Sequence, residues 1–141
     1  MRIALLLAAL LATPVVAQTA TLTLQTGQWY QVFANDVERA TGRSVRVDAA
    51  SVVSGGLGRQ FRQATVLLRK EGAYPRGTVF YTQRSVNCQA GHKMTHHWSA
   101  VAPNGAMIGD QAFASPVLEA VHWDSQDGKV LKFVCQGILP R

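Results

Sequence analysis

Residues 77–109 read GTVFYTQRSVNCQAGHKMTHHWSAVAPNGAMIG, and the alternation inside this stretch decides the fold class. Phe80, Val86 and Cys88 fall on one parity of 77–88, with Tyr81, Gln83, Ser85 and Asn87 on the other, which is the period of a strand with two different faces. Tyr74-Pro75-Arg76-Gly77 stands before it as a turn, where proline fixes one dihedral and glycine permits the reversal. Residues 93–102 repeat the pattern and predict Met94, Trp98 and Ala100 on one face, after which Pro103-Asn104-Gly105 turns the chain into 106–109 as a further short strand. Links this short cannot hold a helical crossover, so these strands are expected to be antiparallel neighbours.

Upstream, 29–34 is apolar and β-prone, 44–53 alternates through Val45, Val47 and Ala49, and 61–69 contains Thr65-Val66-Leu67-Leu68. Ser54-Gly55-Gly56-Leu57-Gly58 lies between the last two as a hairpin loop. Its glycines lack the lysine and following Ser/Thr of a phosphate-binding loop. Downstream, Asp124 or Ser125 can accept from the free N–H groups of a helix start, Asp127 suits the positive end of the helix dipole, and Gly137 can close the helix. Val130, Leu131 and Val134 then share one face. The competing reading takes Leu131, Phe133 and Cys135 as an alternating strand, and Gly128 in the first turn counts against the favoured helix. The expected architecture is α+β, mainly antiparallel β: one twisted sheet of about six strands with a C-terminal helix packed on it.

The chain starts Met1-Arg2, runs apolar from Ile3 to Ala12 and reaches Val15-Val16-Ala17, the layout of an export signal cleaved before Gln18. The apolar run is shorter than the roughly 20 residues that span a bilayer. No stable membrane anchor is therefore expected after cleavage, and 18–141 is read as a single domain. Two cysteines in an exported chain, Cys88 and Cys135, are most simply one disulfide. The formal net charge is +6 at pH 7, with arginine dominant and scattered. Such a surface is solvated and attracts polyanions such as glycan sulfates or acidic envelope components. No basic run with interleaved aromatics argues for nucleic acid.

His92-Lys93-Met94-Thr95-His96-His97-Trp98 gathers the imidazoles that would make a transition-metal site. On a strand, His92 and His96 stand about 13 Å apart on one face and His96 and His97 point to opposite faces, so a metal site would need a cross-strand partner such as His122 or an Asp or Glu. No serine sits in Gly-x-Ser-x-Gly; Ser54 and Ser99 have the wrong contexts. A disulfide leaves no thiol nucleophile. Catalytic residues and cofactors are accordingly not expected. Trp29, Trp98 and Trp123 are expected in core or half-buried positions, with Tyr30, Tyr74 and Tyr81 as exposed binding aromatics.

These residues resemble the surface-adhesin protein E-like family of small exported bacterial proteins. The resemblance rests on Trp29, Val47-Asp48-Ala49-Ala50-Ser51-Val52 as an Asp-x-x-Ser strand, Asn87-Cys88 at a strand end, the glycine turn from Gly105 to Asp110, Trp123, and Phe133-Val134-Cys135. It implies a twisted antiparallel sheet with a packed helix, tied by a disulfide matching Cys88 and Cys135. Asp48 and Ser51 also have a local rationale, since both side chains can bond nearby backbone and fix a bend. The family's founding adhesin binds host extracellular-matrix and serum proteins and is lipid-anchored; here Gln18 follows the signal, with no lipidation cysteine. The expected function is a non-enzymatic binding module, periplasmic or secreted, that recognises a protein or polyanionic ligand through a sheet face or edge. A homodimer through a sheet edge is left open. The alternative is a small metal-binding protein or hydrolase centred on His92, His96 and His97.

Overall fold

The computed structural model describes residues 26–137, so the expected export signal and Gln18 lie outside the described residues. Six strands lie side by side in sequence order: β1 (Trp29–Gln31), β2 (Arg43–Gly55), β3 (Gly58–Leu67), β4 (Val79–Asn87), β5 (His92–Val101) and β6 (Met107–Ala112). Every pair is antiparallel, as the tight links β2–β3, β4–β5 and β5–β6 require. A two-residue strand, β7 (Glu119–Ala120), pairs with the start of β5 beyond the end of β6. Two helices complete the fold, α1 (Asn35–Thr41) between β1 and β2 and α2 (Gln126–Gln136) at the end. The antiparallel sheet, the C-terminal helix and the Cys88–Cys135 disulfide agree with the sequence expectation.

The strand expected over 29–34 ends at Gln31, because Asn35 opens α1. This seven-residue helix has Ala34 at its N-cap, without a side-chain cap, and closes at Gly42 in the left-handed conformation. It is too short for apolar periodicity to show.

In α2 the helical alternative prevails. Ser125 Oγ accepts from the Gly128 N–H at 3.0 Å, and the Gly137 N–H reaches Phe133 O in the left-handed C-cap. Gly128 is there for space: a Cβ at that position would lie 2.2 Å from His122 O. The glycine that weakens helix propensity is the one that lets the cap loop close against the helix. Val130, Leu131 and Val134 are buried against Val47, Phe61 and Val86. This puts α2 over β2 and β3.

Both ends of α2 are fastened to strands. At the C-terminal end Arg59 of β3 donates to Val134 O at 2.8 Å and Cys135 O at 3.1 Å, and the disulfide ties Cys135 to the residue just after β4. A cation from the sheet thus satisfies carbonyls that the helix's own last turn leaves without a basic partner. At the other end Asp127 pairs with Arg84 of β4 at 2.7 Å and Lys93 of β5 at 2.5 Å. Burial alone would raise the Asp127 carboxyl; the hydrogen bonds and charges of Arg84 and Lys93 outweigh it and hold the pKa below the usual range. Arg84 is itself buried, 7% exposed, so not every arginine belongs to the solvated surface expected from composition.

Two bulges set the strand phases. Asp48 and Val53 of β2 oppose Arg62 and Gln60 of β3, so the residues from Ala49 to Val52 stand opposite Phe61 alone. In β5 His97 opposes Gln83 while Thr95 opposes Arg84, which leaves His96 as the inserted residue. Trp98 and Ala100 therefore face α2's side with Thr82 and Phe80, whereas Met94 lies opposite Ser85 on the other face. The expectation of Met94, Trp98 and Ala100 on one face fails at this insertion, because a bulge resets the period-2 parity.

Candidate functional site

The Asp-x-x-Ser segment forms the β2 bulge. Asp48, fully buried, accepts from the Gln28 N–H at 2.7 Å and the Ala50 N–H at 3.1 Å through Oδ1, and pairs with Arg62 through Oδ2. Ser51 Oγ donates to Asp48 O at 2.7 Å and accepts from the Arg62 N–H at 2.8 Å. The hydroxyl takes up an amide of β3 that the bulge would otherwise leave unpaired. The Arg62 guanidinium lies 5.7 Å from the Trp29 ring, which also meets Tyr81 edge-on. Trp29, Asp48 and Ser51 thus form one structural knot where β1 meets β2. Tyr81, expected as an exposed binding aromatic, is buried at 6% exposure. Trp123 is partly buried and packs against the core below α2.

The histidines are arranged by the β5 bulge. His96 Nε2 and Ser85 Oγ are 2.6 Å apart, and Ser85 Oγ also accepts from the Leu57 N–H at the tip of the β2–β3 hairpin. His97 Nε2 approaches Asp110 Oδ1 at 2.5 Å. Gln83 opposes His97 and Ser85 lies on the same side, so His96 and His97 reach the same face; their expected divergence is overturned by the inserted residue. Among the described residues no three His, Cys, Asp or Glu side chains stand together to hold a metal ion. The Ser85–His96 bond gives the sheet a serine–imidazole contact that no sequence spacing marks. Ser85 is fully buried beneath the hairpin tip.

On α2's side of the sheet, the part the helix leaves uncovered holds an open groove of about 610 Å³. Its wall is Tyr74, Phe80 and Trp98, with ring centroids 4.9 Å apart for the first pair and 6.4 Å for the second. Thr65 and Thr82 lie along it, and the Arg43–Glu71 pair stands at one end. The Trp98 ring lies across β6 at Gly109, where a side-chain carbon would come within 2.7 Å of it, and Nε1 donates to Gln111 Oε1 at 3.3 Å. The hydrogen bond from Arg43 holds the Glu71 carboxyl below its ordinary range, and Glu71 in turn raises Arg43. Sequence reading named Tyr74 and Trp98 singly; Phe80 joins them because the register puts it between Thr65 and Ala100.

Beyond Trp98 the sheet ends at β6. Four large apolar side chains stand along this edge: Met107 55% and Ile108 45% exposed on β6, and Val117 73% and Leu118 51% before β7. The segment 106–114, AMIGDQAFA, contains no lysine, arginine or proline. No helix among the described residues is long and apolar enough to cross a membrane. No family model, curated protein or solved structure matches the chain.

Proposed function

We propose that this chain is an exported, non-enzymatic binding module of the surface-adhesin protein E-like kind, which takes up an extended protein segment as an added strand along β6. The observation that carries this reading is the β6 edge. Exposed edges in soluble proteins are normally blunted by lysine, proline or a covering element, since their unpaired N–H and C=O groups invite another strand. Here the outer strand keeps a run with Asp110 as its one charge, and its exposed apolar side chains continue into 117–118. Backbone pairing would supply affinity and the alternate apolar positions would supply selectivity. The disulfide supports an oxidising compartment and fits export.

A hydrolase centred on His96 would draw on the Ser85–His96 bond, but needs Ser85 to leave a fully buried position under Leu57. The β6 reading requires no rearrangement.

The test is a selection of random 12-residue peptides on the folded protein, followed by amide hydrogen exchange of the complexes. Bound peptides should slow exchange at residues 107–112, and Ile108→Lys should abolish their binding. Peptides that bind with β6 exchange unchanged, or a selection that yields none, would overturn the reading.

A further inference from the structure

The groove on the open half of the sheet is separate from the β6 edge and differs in chemistry along its length. At one end Tyr74, Phe80 and Trp98 present a run of rings, each in contact with the next. At the other end the groove shares Arg43 and Glu71 with an adjoining polar cavity of about 360 Å³ that is also lined by Thr41, Arg69 and Gln126. Both arginines there are held in place. Arg43 grips Glu71 with Nε at 2.9 Å and Nη2 at 2.5 Å. Arg69 donates to Thr41 O at 3.1 Å and lies against the end of α1, where a Cβ at Gly42 would come within 2.4 Å of its Nε. Gly42, at φ 73° in the C-cap, is thus both the helix stop and the space in which the Arg69 side chain rests. Two guanidiniums against one carboxylate leave this end with a net positive charge, and Gln126 at the start of α2 lines the adjoining cavity.

We infer that this groove and the polar cavity adjoining it together bind a short acidic saccharide of two or three rings. The groove's volume of about 610 Å³ falls within the usual range of small-ligand sites, roughly 300–1,000 Å³. A pyranose ring offers an apolar C–H face that lies on an aromatic ring and an equatorial rim of hydroxyls that needs donors and acceptors. Tyr74, Phe80 and Trp98 supply the first, Thr65 and the Gln126 amide the second. The acidic group, a carboxylate or a sulfate ester, is met by Arg69 and the free donors of Arg43, whose fixed positions reduce the ordering cost of binding. A purely apolar ligand would leave the arginine end unused, and a simple polyanion would make no use of the rings.

Trigalacturonic acid, its neutral counterpart galactotriose and a chondroitin sulfate tetrasaccharide are the probes, followed by ¹H–¹⁵N spectra of the whole mature protein at physiological salt. The acidic probes should move the Trp98 indole N–H and the Thr65 and Arg69 amides while leaving the Trp29 indole still, and galactotriose should bind about tenfold more weakly, a difference equal to about 1.4 kcal/mol. Arg69→Gln should erase that preference without weakening galactotriose. Tyr74→Ala, outside the strands, should weaken all three probes, and keeps the test open should Trp98 variants fail to fold. Arg76→Gln, an arginine outside the groove, should change nothing. The inference is overturned by no shift with any probe, by shifts spread over the arginine surface, or by an Arg76→Gln effect equal to that of Arg69→Gln.

Discussion

Helix α2 covers one end of its face of the sheet, around Val47, Phe61 and Val86, and leaves the other end, around Thr65, Phe80 and Trp98, open. The covered half is dry: Val47, Phe61, Val86 and Leu131 are at most 1% exposed, and the helix above them is fastened by a disulfide, an ion cluster and Arg59. The open half keeps three rings partly in water, an unpaired strand edge and a buried hydroxyl, Thr82 Oγ1, with no partner among the described residues. Both halves share the same strands, β4 and β5. The difference shows that the strands furnish two apolar surfaces and the single helix can bury only one, so the remainder is left for something outside the fold.

If the covered half carries stability and the open half carries recognition, substitutions should sort accordingly. The largest effect is expected from Cys88→Ser with Cys135→Ser: releasing a cross-link with a sequence separation of 47 should cost about 4 kcal/mol in the chain-entropy account. Urea unfolding of the pair variant beside the wild type would measure it, and a loss under about 1 kcal/mol would mean that packing alone holds α2 down.

Asp127→Asn comes next. It leaves the buried Arg84 guanidinium with Gln63 as its remaining side-chain partner, at a cost of about 1–3 kcal/mol. Since the folded-state pKa of Asp127 is depressed, the stability it confers is complete above the unfolded value of about 3.9 and is lost as pH falls through that value toward the lower folded one. Stability curves of wild type and variant should therefore converge on acidification, and parallel curves would remove the ion cluster from the account.

Thr82→Val should work in the opposite direction. Deleting a hydroxyl that is shut from water and unpaired should raise unfolding stability by about 1 kcal/mol. A destabilised Thr82→Val protein would show that the hydroxyl is in use and that the open half is less independent than it looks. The smallest change in stability, within about 0.5 kcal/mol, is expected for Ile108→Lys at the edge. A cooperative loss of folding there would make β6 part of the core instead of a docking edge.

The strands were legible because their faces differ: Val45 and Val47 alternate with polar neighbours, and Pro75-Arg76-Gly77 and Pro103-Asn104-Gly105 mark the reversals. Helix α2 was legible from its caps, Ser125 and Gly137, and from Val130, Leu131 and Val134. Helix α1 escaped because seven residues with one apolar β-branched position, Val37, carry no period; Asp36 and Glu38 in the first turn and Gly42 after the last were its available marks. The groove escaped for a different reason. Tyr74, Phe80 and Trp98 come from a loop and two strands, and their meeting depends on register beyond the bulge, which no composition signals.

That bulge has a consequence for how the chain can change by inheritance. His96 has no opposite number in β4, while its neighbours Thr95 and His97 face the adjacent residues Arg84 and Gln83. Loss of its single codon would let the two flanks close up without re-phasing either of them, so Lys93 would keep Asp127 and Trp98 would keep Thr82. The contact with Ser85 and the bond from the Phe113 N–H to His96 O would go. An imidazole held this way can be gained or dropped in one step, as a removable part on the β4 side of the ladder.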